Sequence, residues 1–276
     1  MTSGLSITFL GSLPLFFHFF YPMANTALIK DMLDHAVHIG HKRQFWSAKM
    51  RDYIYGIQNN IHVFDLYKTE TRITEVKKAI EDATSKGKIA LLVGTKLQAR
   101  DTIKSIAEET GNYYINTKWV PGLLTNFPTI KKRIAAYNQI EKDLETGALE
   151  MLTKKEKASK LKELDKLRKA YEGIKDIKKT PDLLIVVDGH YESLALEEAK
   201  TLGISTYALL GSTGDIDRCT DFVPCNVNSI KSIKFVLDYF KTAMKRTKKV
   251  EGAVMGRTEK LAPKSGAVTE TSTETE

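Results

Sequence analysis

The chain has 276 residues, 42% of them hydrophobic and 28% charged, enough to bury the core of one large domain or of a domain with an insertion. Its 42 Lys and Arg against 34 Asp and Glu give a formal charge of +8, which favours acidic partners such as nucleic acid and says nothing about fold. Two cysteines, Cys219 and Cys225, exclude a disulfide framework and fit a reducing compartment; we read both as small buried residues.

The first 22 residues carry no charge and end in the run LFFHFFYP. They lack the positive n-region and small-residue cleavage site of a signal peptide and the Arg of a mitochondrial presequence, and Pro14 and His18 interrupt a membrane span. We expect the native chain to start at Met23, with residues 1–22 an upstream misreading.

From Asn25 the pattern is regular. NTALIKDMLDHAV spaces Leu28, Ile29, Met32, Leu33, Ala36 and Val37 as one helical stripe, capped by Asn25 or Thr26 and stopped by Gly40. IHVFDL predicts a short strand. KTETRITEVKKAIEDATSKG predicts an amphipathic helix with Ile73, Val76, Ala79, Ile80 and Ala83 inward and Gly87 at its end. KIALLVG has no polar alternation, as in a buried parallel strand. Helix KLQARDTIKSIAEETG and strand NYYIN follow. After an interruption the rhythm returns with strand DLLIVVDG, helix SLALEEAKTLG, strands ISTYALLG and DFVPC, and a long helix from Asn228 to about Lys249. Alternating strands and helices predict an α/β fold with a mostly parallel sheet flanked by helices. The polar tail, residues 250–276, reads as disordered.

The interruption, residues 128–178, carries two helical stripes: Ile130, Ile134, Tyr137, Ile140 and Leu144, then Ala158, Leu161, Leu164, Leu167, Tyr171 and Ile174. Gly147 stops the first, and Thr153 with Glu156 makes a capping box for the second. We read an inserted antiparallel helical hairpin, a coiled coil, within a discontinuous α/β domain of residues 23–127 and 179–249. Its outside is basic beyond what i,i+4 pairing requires.

HAVHIGHKRQFWSAKM places His35, His38 and His41 three apart, half of the chain's six histidines. On a helix they would fan across about 120°. No further ligand pattern accompanies them, so we expect no metal and no catalysis there. GTK after one strand and DGH after another could hold a phosphate at Gly94, Thr95 and Lys96 and at Asp188 and His190, the basis of a second possibility, an α/β enzyme or sensor of a phosphorylated small ligand. Neither is a P-loop or a G-x-G-x-x-G, and a turn with a helix cap explains both more simply.

Basic residues interleaved with aromatics are the stronger signal. Cations satisfy phosphates, and aromatic faces stack on unpaired bases. One cluster is Lys42, Arg43, Phe45, Trp46, Lys49 and Arg51; NTKWVPGLLTNFPTIKKR supplies Lys118, Trp119, Lys131, Lys132 and Arg133. The hairpin adds Lys154 and Lys155, and the last helix ends in Lys241, Lys245, Arg246, Lys248 and Lys249. RNA is the partner these predict.

At these residues the chain resembles the bacterial-type S-two protein family of the small ribosomal subunit, over about Met23 to Lys249. HAVHIGHKRQFWSAKM, VGTK, KWVPGLLTNFPT, LTKKE, GIKD and PDLLIVVD follow in the family's order. The resemblance implies an α/β domain with a helical hairpin, a structural role in subunit assembly and translation, ribosomal RNA as partner, and contact with neighbouring proteins including the S-one protein. It implies no enzyme activity, no cofactor, no membrane, and a place in cytoplasmic ribosomes. The expected RNA contacts are His38, His41, Lys42, Arg43, Trp46, Lys49, Arg51, Lys96, Arg100, Lys118, Trp119, Asn126, Lys131, Lys132, Arg133, Lys154 and Lys155, with His35 packing. The chain departs from the family pattern at Ser47-Ala48, Thr117-Lys118, Pro121 and the loop Gly211–Arg218, where family members usually carry Asn-Pro, His-Arg, Gly and a TNSDP-like loop, which puts RNA contacts there in doubt.

Overall fold

The computed structural model describes residues 26–245. The expectations about the leader, the tail and the basic residues Arg246, Lys248 and Lys249 lie outside them.

The apolar runs become five parallel strands: β4 (Ala90–Val93), β5 (Tyr113–Ile115), β6 (Leu183–Val187), β7 (Ser205–Leu210) and β8 (Asp221–Pro224), in the order β5-β4-β6-β7-β8. Alternate residues serve opposite faces. Leu92, Ile185, Val187, Leu209 and Val223 meet α2 (Leu66–Ser85), α3 (Arg100–Thr110) and α7 (Ile230–Met244), with α1 (Thr26–Asp34) alongside. Leu91, Val93, Leu184, Val186 and Ala208 meet α6 (Ser193–Thr201) and the base of a pair of long helices, α4 (Phe127–Glu145) and α5 (Lys154–Tyr171). The chain leaves β4 for the edge over one face and returns to β6 over the other. The strand order therefore reverses between β4 and β6, where open α/β sheets have their crevice.

Helices α4 and α5 run antiparallel: Tyr171 faces Arg133, Arg168 faces Glu141, and Lys157 pairs with Glu150 nearer the tip. Pro128 starts α4, and the capping box forms as read, Glu156 N to Thr153 Oγ1 at 3.4 Å and Thr153 N to Glu156 Oε2 at 3.1 Å. The hairpin is not merely appended. Ile130, Ile134, Tyr137, Tyr171, Ile174 and Ile177 share one apolar cluster with the sheet. A Cβ on Gly173 would collide with the Tyr114 carbonyl, so only Gly lets the return segment lie against β5.

Two expectations needed correction. A second sheet was not foreseen: β1 (Ile39–Lys42), β2 (Ile54–Gln58) and β3 (Ile61–Phe64) form an antiparallel sheet, order β1-β3-β2. Its strands are four or five residues long and half-exposed, so their periodicity is weak. Asn59 (φ 50°) and Asn60 (φ 64°) make its hairpin turn, left-handed backbone that Asn tolerates. Helix α1 also ends earlier than read. Ala36, at φ 55°, turns the chain out of it, Gly40 lies within β1, and Leu33 is exposed rather than part of the inward stripe.

Candidate nucleic-acid interface

The basic turn begins where β1 ends. Phe45 N donates to the Lys42 carbonyl at 2.8 Å, closing a tight turn, and Arg43 N donates to the Asn60 carbonyl at 2.9 Å, tying it to the β2–β3 hairpin. The His62 Nε2 lies 3.1 Å from the Arg43 carbonyl; a carbonyl only accepts, so Nε2 carries the proton. His62 is buried, and Trp46 lies over it with ring centroids 5.7 Å apart. Lys42, Arg43, Gln44, Phe45 and Trp46 are all exposed, and the Lys42, Arg43 and Gln44 side chains have no partner among the described residues. Arg51, on the following 3-10 turn, is also exposed and unpaired among them.

The histidines divide as the chemistry requires. His35 stacks on Phe235 at 4.8 Å and its Nδ1 bonds the Asp31 carbonyl, so it packs. His38 and His41 both have lowered pKa values, chiefly through burial. For His41, Asp188 opposes that shift, while Lys96, His190 and His62 reinforce it. Its Nδ1 and backbone N each lie 3.0 Å from the Ser212 hydroxyl. Neither His38 nor His41 is an exposed cation at neutral pH. No group of three or more His, Cys, Asp or Glu among the described residues is arranged to hold a metal.

The second basic-aromatic cluster is built differently. Trp119 is buried, and its indole N–H donates to Glu198 at 3.0 Å. The same carboxylate accepts from Gly122 N, Leu124 N, Thr125 N and the Thr125 hydroxyl. Burial acts to raise the Glu198 pKa, but these donors outweigh it and leave the group lowered. Glu198 thus holds the whole 119–125 loop, and no Trp119 face remains for a base. Lys118 and Asn126 beside it are exposed.

At the sheet crevice the cations are spent internally. Lys96 Nζ lies 2.7 Å from Asp188 Oδ2, 2.6 Å from Asn228 Oδ1 and 3.3 Å from the Val227 carbonyl. Glu192, its pKa raised by burial, accepts from the Thr95 N–H and hydroxyl at 2.6 Å each. Asp188, at φ 64°, also accepts from His190 N and Tyr191 N. Arg100 turns back to the Thr95 carbonyl at 3.0 Å. The place where a phosphorylated ligand would bind is filled by the protein's own groups.

Elsewhere, Lys131, Lys132 and Arg133 are exposed on the first turns of α4, Arg133 reaching Tyr171, and Lys154 and Lys155 are exposed at the start of α5. Lys241 pairs with Glu109. Both cysteines are unpaired, with thiols pushed up by burial, Cys219 to about 12.

Residues 32–247 match the family model described as Ribosomal protein S2. The chain belongs to this ribosomal protein family. Among curated relatives named small ribosomal subunit protein uS2, that of Wolinella succinogenes is 39% identical over 240 residues, covering 87% of this chain and 89% of the relative. Those of Fusobacterium nucleatum (41% identical, 78% and 88% covered) and Francisella tularensis (34%, 86% and 99%) agree. It is a family of ribosomal proteins, not of enzymes. No helix among the described residues is long and apolar enough to cross a membrane.

Ser47 and Lys49 meet the loop Gly211–Arg218. Ser47 N donates to the Ser212 carbonyl at 2.7 Å, and Lys49 pairs with Asp215 at 2.6 Å and with Asp217. These bonds push the Lys49 pKa up and hold Asp215 down. The loop Gly211–Arg218 therefore clamps the basic turn from below and neutralises Lys49. Gly211 is required there, since a Cβ would collide with the His41 ring. Sequence reading missed Gln44 and Asn60 as parts of the exposed face. Asn59-Asn60 between two apolar-polar alternations was the available signal.

Proposed function

We propose that this chain is a structural component of the small ribosomal subunit, in the ribosome of the cytoplasm, that binds ribosomal RNA and supports subunit assembly and translation. One observation carries the RNA assignment beyond family membership: the exposed cations Lys42, Arg43, Arg51, Lys118, Lys131, Lys132, Lys154 and Lys155 have no carboxylate partner among the described residues. Arg43 can hold phosphate oxygens in a bidentate manner, and Trp46 offers a face for stacking. His38 and His41 support the turn from inside, while Lys49, Lys96, Arg100 and Trp119 serve the fold. On this reading residues 128–178 act as an inserted unit carrying cations away from the sheet, and neighbouring small-subunit proteins, the S-one protein among them, are further partners.

Sedimentation of a lysate tests the assignment. The protein should travel with small subunits and leave them as salt rises. Purified chain should bind ribosomal RNA with a log–log salt slope of roughly −0.7 to −0.9 per phosphate neutralised. Absence from the subunit fraction together with saturable binding of a small phosphorylated ligand would sink it.

A further inference from the structure

Beside the end of β1 lies an open cleft of about 520 Å³ lined by Lys42, Arg43, Gln44 and Asn60. Its two rims are fixed to each other by the bond from Arg43 N to the Asn60 carbonyl. The lining is two cations and two primary amides, with no carboxylate, and none of the four side chains has a partner among the described residues. Lys49, only six positions beyond Arg43, is by contrast consumed by two aspartates.

An amide presents a donor and an acceptor together, the pair needed to meet a base edge. A cation beside it meets the phosphate of the same nucleotide. Base edges in an RNA duplex are paired, and its deep major groove excludes side chains, so such a cleft suits a nucleotide outside a helix. Phe45 and Trp46, 54% and 46% exposed, follow directly and can stack on the neighbouring base. We propose that this cleft receives one unpaired RNA nucleotide, its phosphate held by Lys42 and Arg43 and its base edge read by Gln44 and Asn60. The proposal rests on the RNA-binding reading above and assigns to it base selectivity at one position.

The test measures binding of the full chain to four single-stranded RNA oligomers, each rich in one base, across a salt series. Wild type should prefer one base by about tenfold. Gln44→Ala with Asn60→Gly should equalise the four while leaving the salt slope and melting temperature unchanged; glycine keeps the left-handed turn at position 60. Lys42→Ala with Arg43→Ala should weaken all four alike and lower the slope by about 0.7, one single-strand phosphate. Equal wild-type affinity for the four oligomers, or a preference that survives loss of both amides, overturns the nucleotide site but leaves general RNA binding intact. No binding of any RNA by wild type, with absence from small subunits, overturns both.

Discussion

Trp46 and Trp119 each stand near a lysine, in FWSAKM and KWVPG, yet Trp46 is 46% exposed and Trp119 only 7%. Trp46 lies at the surface over the buried His62 ring, beside Lys42 and Arg43, which meet no acid among the described residues. Trp119 points inward to a carboxylate 79 residues later in the chain. The same contrast separates Lys42 from Lys96. One side chain meets no other group among the described residues, while the other is held by Asp188 and Asn228. Whether a basic-aromatic stretch forms an interface depends on where the distant carboxylates fall, and adjacency in sequence does not report that.

The largest effect should come from Trp119→Ala. Removing a buried indole costs about 3–5 kcal/mol, and Glu198 loses a donor as well. Denaturant melts should show the loss, while RNA affinity of the folded fraction stays at the wild-type level. Reduced RNA affinity at unchanged stability would erase the contrast between the two tryptophans.

Asp188→Asn comes next. Asparagine tolerates the left-handed backbone and can still accept from His190 N and Tyr191 N, so the substitution isolates the charge. Lys96, with 14% of its side chain exposed, would be left without its ion-pair partner, at a cost of about 3 kcal/mol. A stable variant that gains affinity for inorganic phosphate would show instead that the crevice is poised for a ligand.

Trp46→Ala should behave oppositely to Trp119→Ala. RNA affinity should fall by about 1–3 kcal/mol at a nearly constant salt slope, with little change in melting temperature. Arg43→Ala should lower the slope by about one unit or less. If Trp46→Ala lowers the melting temperature and RNA affinity only in proportion, Trp46 serves the fold too.

The parallel sheet was legible because its strands are continuous apolar runs, and the two long helices α4 and α5 because two stripes flank a glycine stop and a capping box. The small sheet was not legible, since Ile54–Gln58 shows neither face fully buried. The roles of Lys49 and Trp119 were hidden for another reason. Their partners lie 166 and 79 residues away, and such long-range ion pairs and hydrogen bonds leave no local pattern. Charge and ring type identified candidate side chains; only tertiary contacts told those already partnered within the chain, such as Lys49 and Trp119, from those left without a partner among the described residues.

The smallest effect is a pH dependence that separates the partly buried imidazoles from the surface cations. The His41 pKa is lowered mainly by burial, with Lys96, His190 and His62 adding to the shift and Asp188 opposing it. The unfolded chain, with an imidazole near its ordinary 6.5, therefore binds more protons than the folded chain just below that pH. This contribution to stability is fully present above pH 6.5 and is lost as pH falls through the lowered folded value; His38 acts in the same sense. Glu192 and Asp221, raised by burial, act oppositely and gain stability as pH falls. The raw melting curve thus mixes both signs, and the informative quantity is a difference. His41→Gln should flatten the change in melting temperature between about pH 7.5 and 5.5 relative to wild type, whereas Arg43→Ala should leave that change as it is. Identical pH profiles for His41→Gln and wild type would mean that His41 carries no such burden and that acid sensitivity arises elsewhere in the fold.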